Sequence, residues 1–230
     1  MRSVCIVMVK APHAGTVKTR LVPPLSHAEA ARLAACFAQD TIANVRRIVP
    51  DVLVAYAPAD GRAVLEAILP NDKLLWLEQQ GADLGARLEA AIAYAASLGY
   101  SPVVVVGTDS PTLPASFIER AINSLSAGES DIALGPTEDG GYYLVGLRQV
   151  AGNLFQNIAW STPLAYEQTI HNAARLNLRT LKLPRWYDVD TPADLLRLRD
   201  EILTSEESRA QAPATYQWLQ AHDSQLSALT

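Results

Sequence analysis

An α/β domain built on a mostly parallel central sheet is the fold class this sequence predicts, and three observations predict it. Short β-branched apolar runs alternate with amphipathic segments along the chain, the pattern of repeated strand–helix–strand units. The strand candidates are continuously apolar, as in strands covered on both faces. The 230 residues, 49% hydrophobic and 19% charged, suffice for one sizeable core without disulfide or metal staples.

The elements follow in order. Residues 4–9 (VCIVMV) begin the sheet. After a long loop, Ser26-His27-Ala28-Glu29 has the form of a capping box and opens a helix with Leu33, Phe37, Thr41, Val45 and Ile48 on one face. Residues 51–57 make a second strand. Asp60 is placed to cap a short helix that ends before Pro70, and residues 74–77 make a third strand. Leu84, Leu88, Ile92 and Ala95 share a face of the next helix, and residues 103–106 are the most strand-like run in the chain. Pro114 suits the first position of a helix through Leu125. Residues 131–134 and 142–147 are two further strands, and Asp139-Gly140 between them is a hairpin signal. Thr162-Pro163 and Thr191-Pro192 each read as a cap followed by a first-turn proline, on either side of a strand at 178–183. Residues 204–211 are polar and read as a mobile link. Residues 213–226 read as a terminal helix whose Tyr216 and Leu219 dock on the body. The expected organisation is one domain over 1–203, with a link and C-terminal helix over 204–230. The apolar last helix is a candidate homodimer contact.

Composition narrows the function. Two cysteines, Cys5 and Cys36, are too few and too far apart for a disulfide framework or a CxxC metal site. Both lie in apolar segments, as expected of reduced core residues in a cytoplasmic protein. A net charge of −5 argues against nucleic-acid and membrane-surface partners. Residues 90–108 carry no charge, but Gly99-Tyr100-Ser101-Pro102 divides them into helix, turn and strand. At the N-terminus, Lys10 and Pro12 cut short the apolar run that a signal peptide needs.

In open parallel sheets, ligands bind outside the carboxyl ends of the strands, so those loops hold the candidate site. The loop after the first strand carries Lys10, Lys18 and Arg20 with no acidic residue, and Gly15 permits close backbone approach. Such cations, with exposed amides, suit a di- or triphosphate. The loop is neither a Walker A motif nor GxGxxG. The fourth strand empties into Gly107-Thr108-Asp109-Ser110-Pro111. A carboxylate directly after a buried strand is costly as a bystander, and oxygen ligands beside phosphates suit Mg²⁺ or Mn²⁺. Asp109 is therefore a candidate metal ligand. In the hairpin loop Glu138 or Asp139 could take a proton from an acceptor hydroxyl, and Tyr142 and Tyr143 could line the acceptor pocket. Asp188 and Asp190 alternate along an extended segment and are expected on opposite sides, one in the cleft. With Thr191-Pro192 starting the helix, Asp190 is left to join Asp109 on a metal. Trp160, Ser161 and Thr162 are further candidates for sugar or acceptor contacts.

These pieces together resemble a known family. Lys10-Ala11-Pro12-x-x-Gly15-x-x-Lys18-Thr19-Arg20-Leu21, Gly107-Thr108-Asp109-Ser110-Pro111, Gly135-Pro136-x-x-Asp139-Gly140-Gly141-Tyr142-Tyr143, Trp160-Ser161-Thr162 and Asp188-Val189-Asp190-Thr191-Pro192 look like the small bacterial GT-A-type glycosyltransferases of the nucleotide-diphospho-sugar transferase superfamily. That family is similar in turn to 2-phospho-lactate guanylyltransferase and molybdenum cofactor guanylyltransferase. The resemblance covers about residues 1–203. It implies a Rossmann-like GT-A fold and a nucleotide held by Lys10, Ala11, Pro12, Gly15, Lys18 and Arg20. It also implies a divalent metal on Asp109, with Asp190 as second ligand. The usual DxD motif reads Gly107-Thr108-Asp109 here, so a metal at Asp109 needs a distant partner. The expected function is metal-dependent glycosyl transfer from a nucleotide-diphospho-sugar to a small-molecule acceptor. The alternatives are nucleotidyl transfer to a phosphorylated acceptor and a non-catalytic nucleotide-binding module.

Overall fold

The computed structural model describes residues 2–69 and 73–227, and within them the apolar runs assemble into a seven-stranded sheet. In chain order the elements are β1 (Arg2–Lys10), α1 (His27–Ile48), β2 (Val52–Ala57), α2 (Arg62–Ile68), β3 (Leu74–Glu78), α3 (Leu84–Ser97), β4 (Tyr100–Val106), α4 (Ala115–Ala127), β5 (Ile132–Pro136), β6 (Tyr142–Leu147), α5 (Ala165–Arg175), β7 (Thr180–Lys182), α6 (Pro192–Thr204), α7 (Glu206–Gln211), α8 (Pro213–Ala221) and α9 (Asp223–Ser227). The strand order is β3-β2-β1-β4-β6-β5-β7. Only β6 runs antiparallel to its neighbours, because the hairpin folds it back between β4 and β5. β1 is central, and Val4, Cys5, Ile6 and Val7 are completely buried there, which explains the lack of any alternation in that run.

Both faces of the sheet are covered. On one, Cys5, Val7 and Val54 pack with Ala38, Ile42 and Val45 of α1 and with Ile118, Ala121 and Leu125 of α4. On the other, Ile6, Leu53 and Val105 pack with Leu88, Ile92 and Ala95 of α3 and with α5. The capping box forms as the sequence predicts: Ser26 accepts from the Glu29 amide while Glu29 accepts from the Ser26 amide. The outward side of α1 carries Leu33 and Phe37 into a third cluster with Leu195, Leu198, Trp218, Leu219 and Leu226.

That third cluster corrects the expected C-terminal organisation. The polar stretch after α6 is helix α7, capped by Ser205 onto the Ser208 amide. Ser208 Oγ in turn donates to Glu201 at 2.8 Å. The single terminal helix is two helices, broken at His222. Asp40, completely inside, accepts from the amides of Ala214 and Thr215 and from the Thr215 hydroxyl. A buried carboxylate thereby caps α8 and holds it on α1. The apolar face read as a dimer contact is covered by the chain itself.

Four smaller boundaries also differ. Asp60 lies in a 3₁₀ turn, Ala59–Gly61, and caps nothing; Gly61 precedes α2. Pro114 stands just outside α4 rather than first within it. Thr162 and Pro163 precede α5, which begins at Ala165 after a turn. The strand expected over 178–183 shortens to three residues, β7. For the three helices a polar or proline signal marks the approach to the element, and packing decides where the regular geometry begins.

Candidate functional site

At the sheet's topological switch, β1 connects through α1 to β2 on one side, while β4 lies on its other side. A crevice opens there at the carboxyl ends of the strands. It holds a cavity of about 460 Å³, large enough for a nucleotide-sized ligand. Lys10, Lys18, Arg20, Gln79, Asp109 and Asp190 are among its lining residues.

Lys18 is the centre of the arrangement. Its backbone is left-handed, with φ 47°, an unusual conformation for a residue with a side chain and a common one at functional sites. That bend turns the side chain inward, where it is 7% exposed and lies over the Phe37 ring. The ammonium is paired with Asp109 and, at 3.0 Å, with Asp190 Oδ1. It also donates to the Val189 carbonyl at 2.9 Å. Burial pushes the Lys18 pKa down, but Asp109 and Asp190 together more than offset it and leave the group above its ordinary value. Arg20 Nη1 sits 3.6 Å from Asp190 Oδ2 at the open rim.

The two aspartates lie 81 positions apart in sequence, yet they converge because backbone stitches join their loops. The Val189 amide donates to the Asp109 carbonyl at 2.9 Å. Ser110 Oγ donates to the Tyr187 carbonyl at 2.8 Å. Tyr187 and Val189 point into the third cluster, so Asp188 and Asp190 both face away from it and remain half-buried. The expectation that these two point to opposite sides is corrected: residues two apart on an extended chain share a face. Burial, then Asp139, Asp190 and Asp109, pushes the Asp188 carboxyl up to about 6. Four carboxylates thus lie within electrostatic reach of one another.

Thr191 caps α6 through a capping box with Asp194, as the sequence predicts, so the Asp190 side chain is free for the cleft. Asp139 Oδ1 accepts from the Thr137 hydroxyl and from the Gly141 amide at 2.9 Å, shaping the hairpin turn. Glu138 is engaged by Arg197 through two bonds, at 2.7 and 3.1 Å, and that guanidinium holds its carboxyl below the usual range. Tyr142 and Tyr143 border the cavity. The Tyr143 hydroxyl donates to the Pro184 carbonyl.

Of the remaining predicted residues, only Lys10 is on the cavity wall. It donates to the Thr16 carbonyl at 2.6 Å, closing the loop. Ala11 is fully buried and ties to Ala57 by its amide. Pro12 is half-buried, and Gly15, at φ 82°, lies in the turn beyond it. Trp160 packs edge-on against Tyr142 and so close to α3 that a side chain at Gly85 would collide with its ring. Ser161 is exposed. Thr162 Oγ1 donates to the Ala159 carbonyl. Gln79 and Leu84 are cavity residues that the sequence reading passed over. The carboxyl-end rule would have found them, since both lie in or beside the loop after β3.

The hairpin and the 159–164 turn meet at Gly140. Its φ is +90°, and a Cβ there would come within 2.2 Å of the Pro163 carbonyl oxygen. Gly140→Ala combines a left-handed penalty of about 1–2 kcal/mol with a clash against backbone that cannot swing away. The expected result is a melting temperature at least several degrees lower, read by thermal denaturation. An unchanged melting temperature would show that the two loops separate freely.

Asp109 and Asp190 suit a hard divalent cation. Both bracket a single cationic centre, and Mg²⁺ binds through one or two carboxylates with substrate phosphates and water completing its shell. Among the described residues no three His, Cys, Asp or Glu side chains form a site able to hold an ion by themselves. No helix among them is long and apolar enough to cross a membrane.

The family described as "Uncharacterized protein conserved in bacteria (DUF2064)" matches residues 41–162. No curated protein matches the chain. Among solved structures, a candidate nucleotide-diphospho-sugar transferase from Desulfovibrio desulfuricans G20 is 34% identical, with a TM-score of 0.90 over 99% of this chain and 98% of that one. Molybdopterin-guanine dinucleotide biosynthesis protein A from Archaeoglobus fulgidus shares the fold at 13% identity, TM-score 0.54, over 88% and 100% of the two chains. Rv0371c from Mycobacterium tuberculosis H37Rv, in complex with manganese, shares it at 18% identity, TM-score 0.50, over 86% and 97%. The Rossmann-like α/β fold and the resemblance to nucleotide-diphospho-sugar transferases are thereby established.

Proposed function

We propose, from the premise that this chain belongs to the bacterial DUF2064 family, that it is a metal-dependent transferase acting on a nucleotide-activated donor. The reaction we assign is glycosyl transfer from a nucleotide-diphospho-sugar to a small-molecule acceptor. One observation carries this reading: Lys18, Asp109 and Asp190 meet at the carboxyl ends of β1 and β4, inside a nucleotide-sized cavity. The 34% identical relative is described as a candidate for this class.

The chemistry is a problem of charge. A leaving nucleoside diphosphate gains negative charge as its bond to the sugar breaks. Lys18 and Arg20 stand where they can neutralise it, and a buried ammonium does so more strongly than an exposed one. Mg²⁺ or Mn²⁺ on Asp109 and Asp190 would add a fixed positive charge on the same phosphates. Lys10 closes the loop that presents these cations. Asp139 is assigned as the base for the acceptor hydroxyl, with one oxygen held in the turn and the other left for the proton. Glu138 is the weaker choice, being engaged by Arg197. Tyr142 and Tyr143 form the wall on the acceptor side, with Trp160, Ser161 and Thr162 behind it.

Nucleotidyl transfer is the second reading, favoured by the fold shared with a guanine-dinucleotide biosynthesis protein. The products separate the two. Release of nucleoside diphosphate from a sugar nucleotide supports glycosyl transfer; release of pyrophosphate from a nucleoside triphosphate supports nucleotidyl transfer.

Binding alone is a first test. A nucleoside diphosphate with Mn²⁺, at about 100 times its Kd, should stabilise the protein by about 2.7 kcal/mol. Measured against Mn²⁺ alone, the further thermal shift on adding the nucleotide should vanish in the Lys18→Ala, Arg20→Ala double variant. An equal shift in that variant would place the nucleotide elsewhere.

A further inference from the structure

A second pocket, of about 290 Å³, lies at the end of the sheet opposite the cleft, with Asp131, Arg148, Val150, Leu176 and Leu178 in its wall. It opens where β6 ends and where β5 and β7 begin. The six residues of β6 set it about 20 Å from the cleft, and the two cavities share no lining residue.

Arg148 gives this pocket its character. Its backbone is held on both sides: the amide donates to the Asp131 carbonyl at 3.0 Å, and the carbonyl accepts from Ser101 Oγ at 2.7 Å. The guanidinium reaches the C-terminal turn of α4, where a Cβ at Gly128 would come within 3.1 Å of it. The helix dipole favours a cation there, but the Ser124 and Leu125 carbonyls are already taken by the Glu129 and Gly128 amides. Arg148 Nε is buried and has no hydrogen-bond partner. The carboxylate in the pocket, Asp131, is committed elsewhere. Arg179 donates to its two oxygens through Nε at 2.9 Å and Nη2 at 2.8 Å, and again through its backbone amide at 3.0 Å. A buried donor without an acceptor is costly, and a ligand that supplies one relieves it.

The other lining side chains fix the class of that ligand. Val150 is 49% exposed and Leu176 37%, and with Leu178 they form an apolar wall beside the guanidinium. Arg148 together with the Arg179–Asp131 pair leaves one net positive charge to be matched. A carboxylate carries one negative charge and offers two oxygens to a guanidinium fork, whereas a phosphate monoester carries about 1.5–2 charges. The volume falls just under the range of about 300–1,000 Å³ usual for drug-sized ligands, so a short chain or a single ring fits.

We propose that this pocket is a second ligand site, for a small monocarboxylate with an apolar body, its head on Arg148 and its body against Val150, Leu176 and Leu178. The site does not depend on the nucleotide reading of the cleft.

Amide NMR of the full chain tests it at constant pH and ionic strength, with hexanoate, benzoate, acetate, inorganic phosphate and hexylamine as probes. Hexanoate or benzoate should shift the amides of residues 148–152 and 176–178 saturably. One of them should bind about tenfold or more tighter than acetate, which has the head without the body. Phosphate should bind no better than acetate, and hexylamine, the body without the head, should shift none of these amides. Arg148→Met keeps an apolar stem and removes the guanidinium, and it should weaken the bound carboxylate about tenfold or more. Val150→Glu, at an exposed position with little bearing on folding, sets a like charge beside the head and should weaken it too. The absence of a saturable shift with either carboxylate overturns the proposal, as does undiminished binding in Arg148→Met or, where that variant fails to fold, in Val150→Glu. Hexylamine binding as tightly as hexanoate, or phosphate binding more tightly than both carboxylates, overturns the ligand class. Nucleoside diphosphate with Mn²⁺ should give the wild-type thermal shift in both variants, so failure here leaves the transferase reading standing.

Discussion

Asp109→Asn is expected to lower turnover by roughly 10²–10³-fold while leaving the fold intact, the size of loss that follows removal of one strong electrostatic contributor to a transition state. The fold should survive because Asp109 holds the 187–190 segment by its backbone carbonyl, which accepts from the Val189 amide, and the substitution leaves that bond untouched. The side chain is half exposed, so no packing is lost. The change removes one negative charge from the pair that brackets Lys18 and one oxygen ligand of the proposed ion. Turnover is read as nucleoside diphosphate released from a panel of nucleotide sugars with Mn²⁺ in excess. The fold is read by near-ultraviolet circular dichroism and melting temperature. Wild-type turnover in the variant would remove Asp109 from the chemistry, and a collapsed melting temperature would make its role structural.

Lys18→Met has two opposite expected effects. Diphosphate should bind roughly 10- to 100-fold more weakly, since hydrogen bonds to charged groups are worth about 1.5–3 kcal/mol. Mn²⁺ alone should bind more tightly than to the wild type. The reason is the counter-ion already present: the ammonium neutralises Asp109 and Asp190, and an incoming cation competes with it for the same oxygens. Without that ammonium, Asp109, Asp139, Asp188 and Asp190 repel one another. The nucleotide-free variant should therefore melt earlier and recover with added Mn²⁺. Titration of Mn²⁺ by electron paramagnetic resonance and of diphosphate by calorimetry measures the two effects separately. Weaker binding of both ligands would mean that Lys18 only supports the loop. Unchanged binding of both would remove it from the site.

The carboxyl-end rule led from sequence to most of this cleft. Lys18, Arg20 and Asp109 follow buried strands, and the tertiary structure places all three along one cavity. The first loop stands out because three cations occur in it with no acid between them, a local fact of composition. Gln79 escaped notice for the complementary reason. A glutamine after a short strand carries no charge and belongs to no motif, and only the tertiary fold sets its Nε2 against the Val9 and Ala55 carbonyls. Asp188 shares its face with Asp190, and its burial beside three other carboxylates is a property of three separate segments together.

Local signals thus determined the local events: the Ser26 and Thr191 capping boxes, the continuously apolar strands, the Asp139-Gly140 turn. These depend on contacts within a few residues, and the residues that make them are adjacent in the chain. Tertiary structure decided what depends on distant partners. It made residues 206–211 a helix, because α6 and α8 offer them a surface and a polar partner in Glu201. It capped α8 with Asp40, 174 positions away. It brought Asp109 and Asp190 onto one ammonium, because burial disfavours the Lys18 charge unless two carboxylates, set in place by distant backbone, offset the cost.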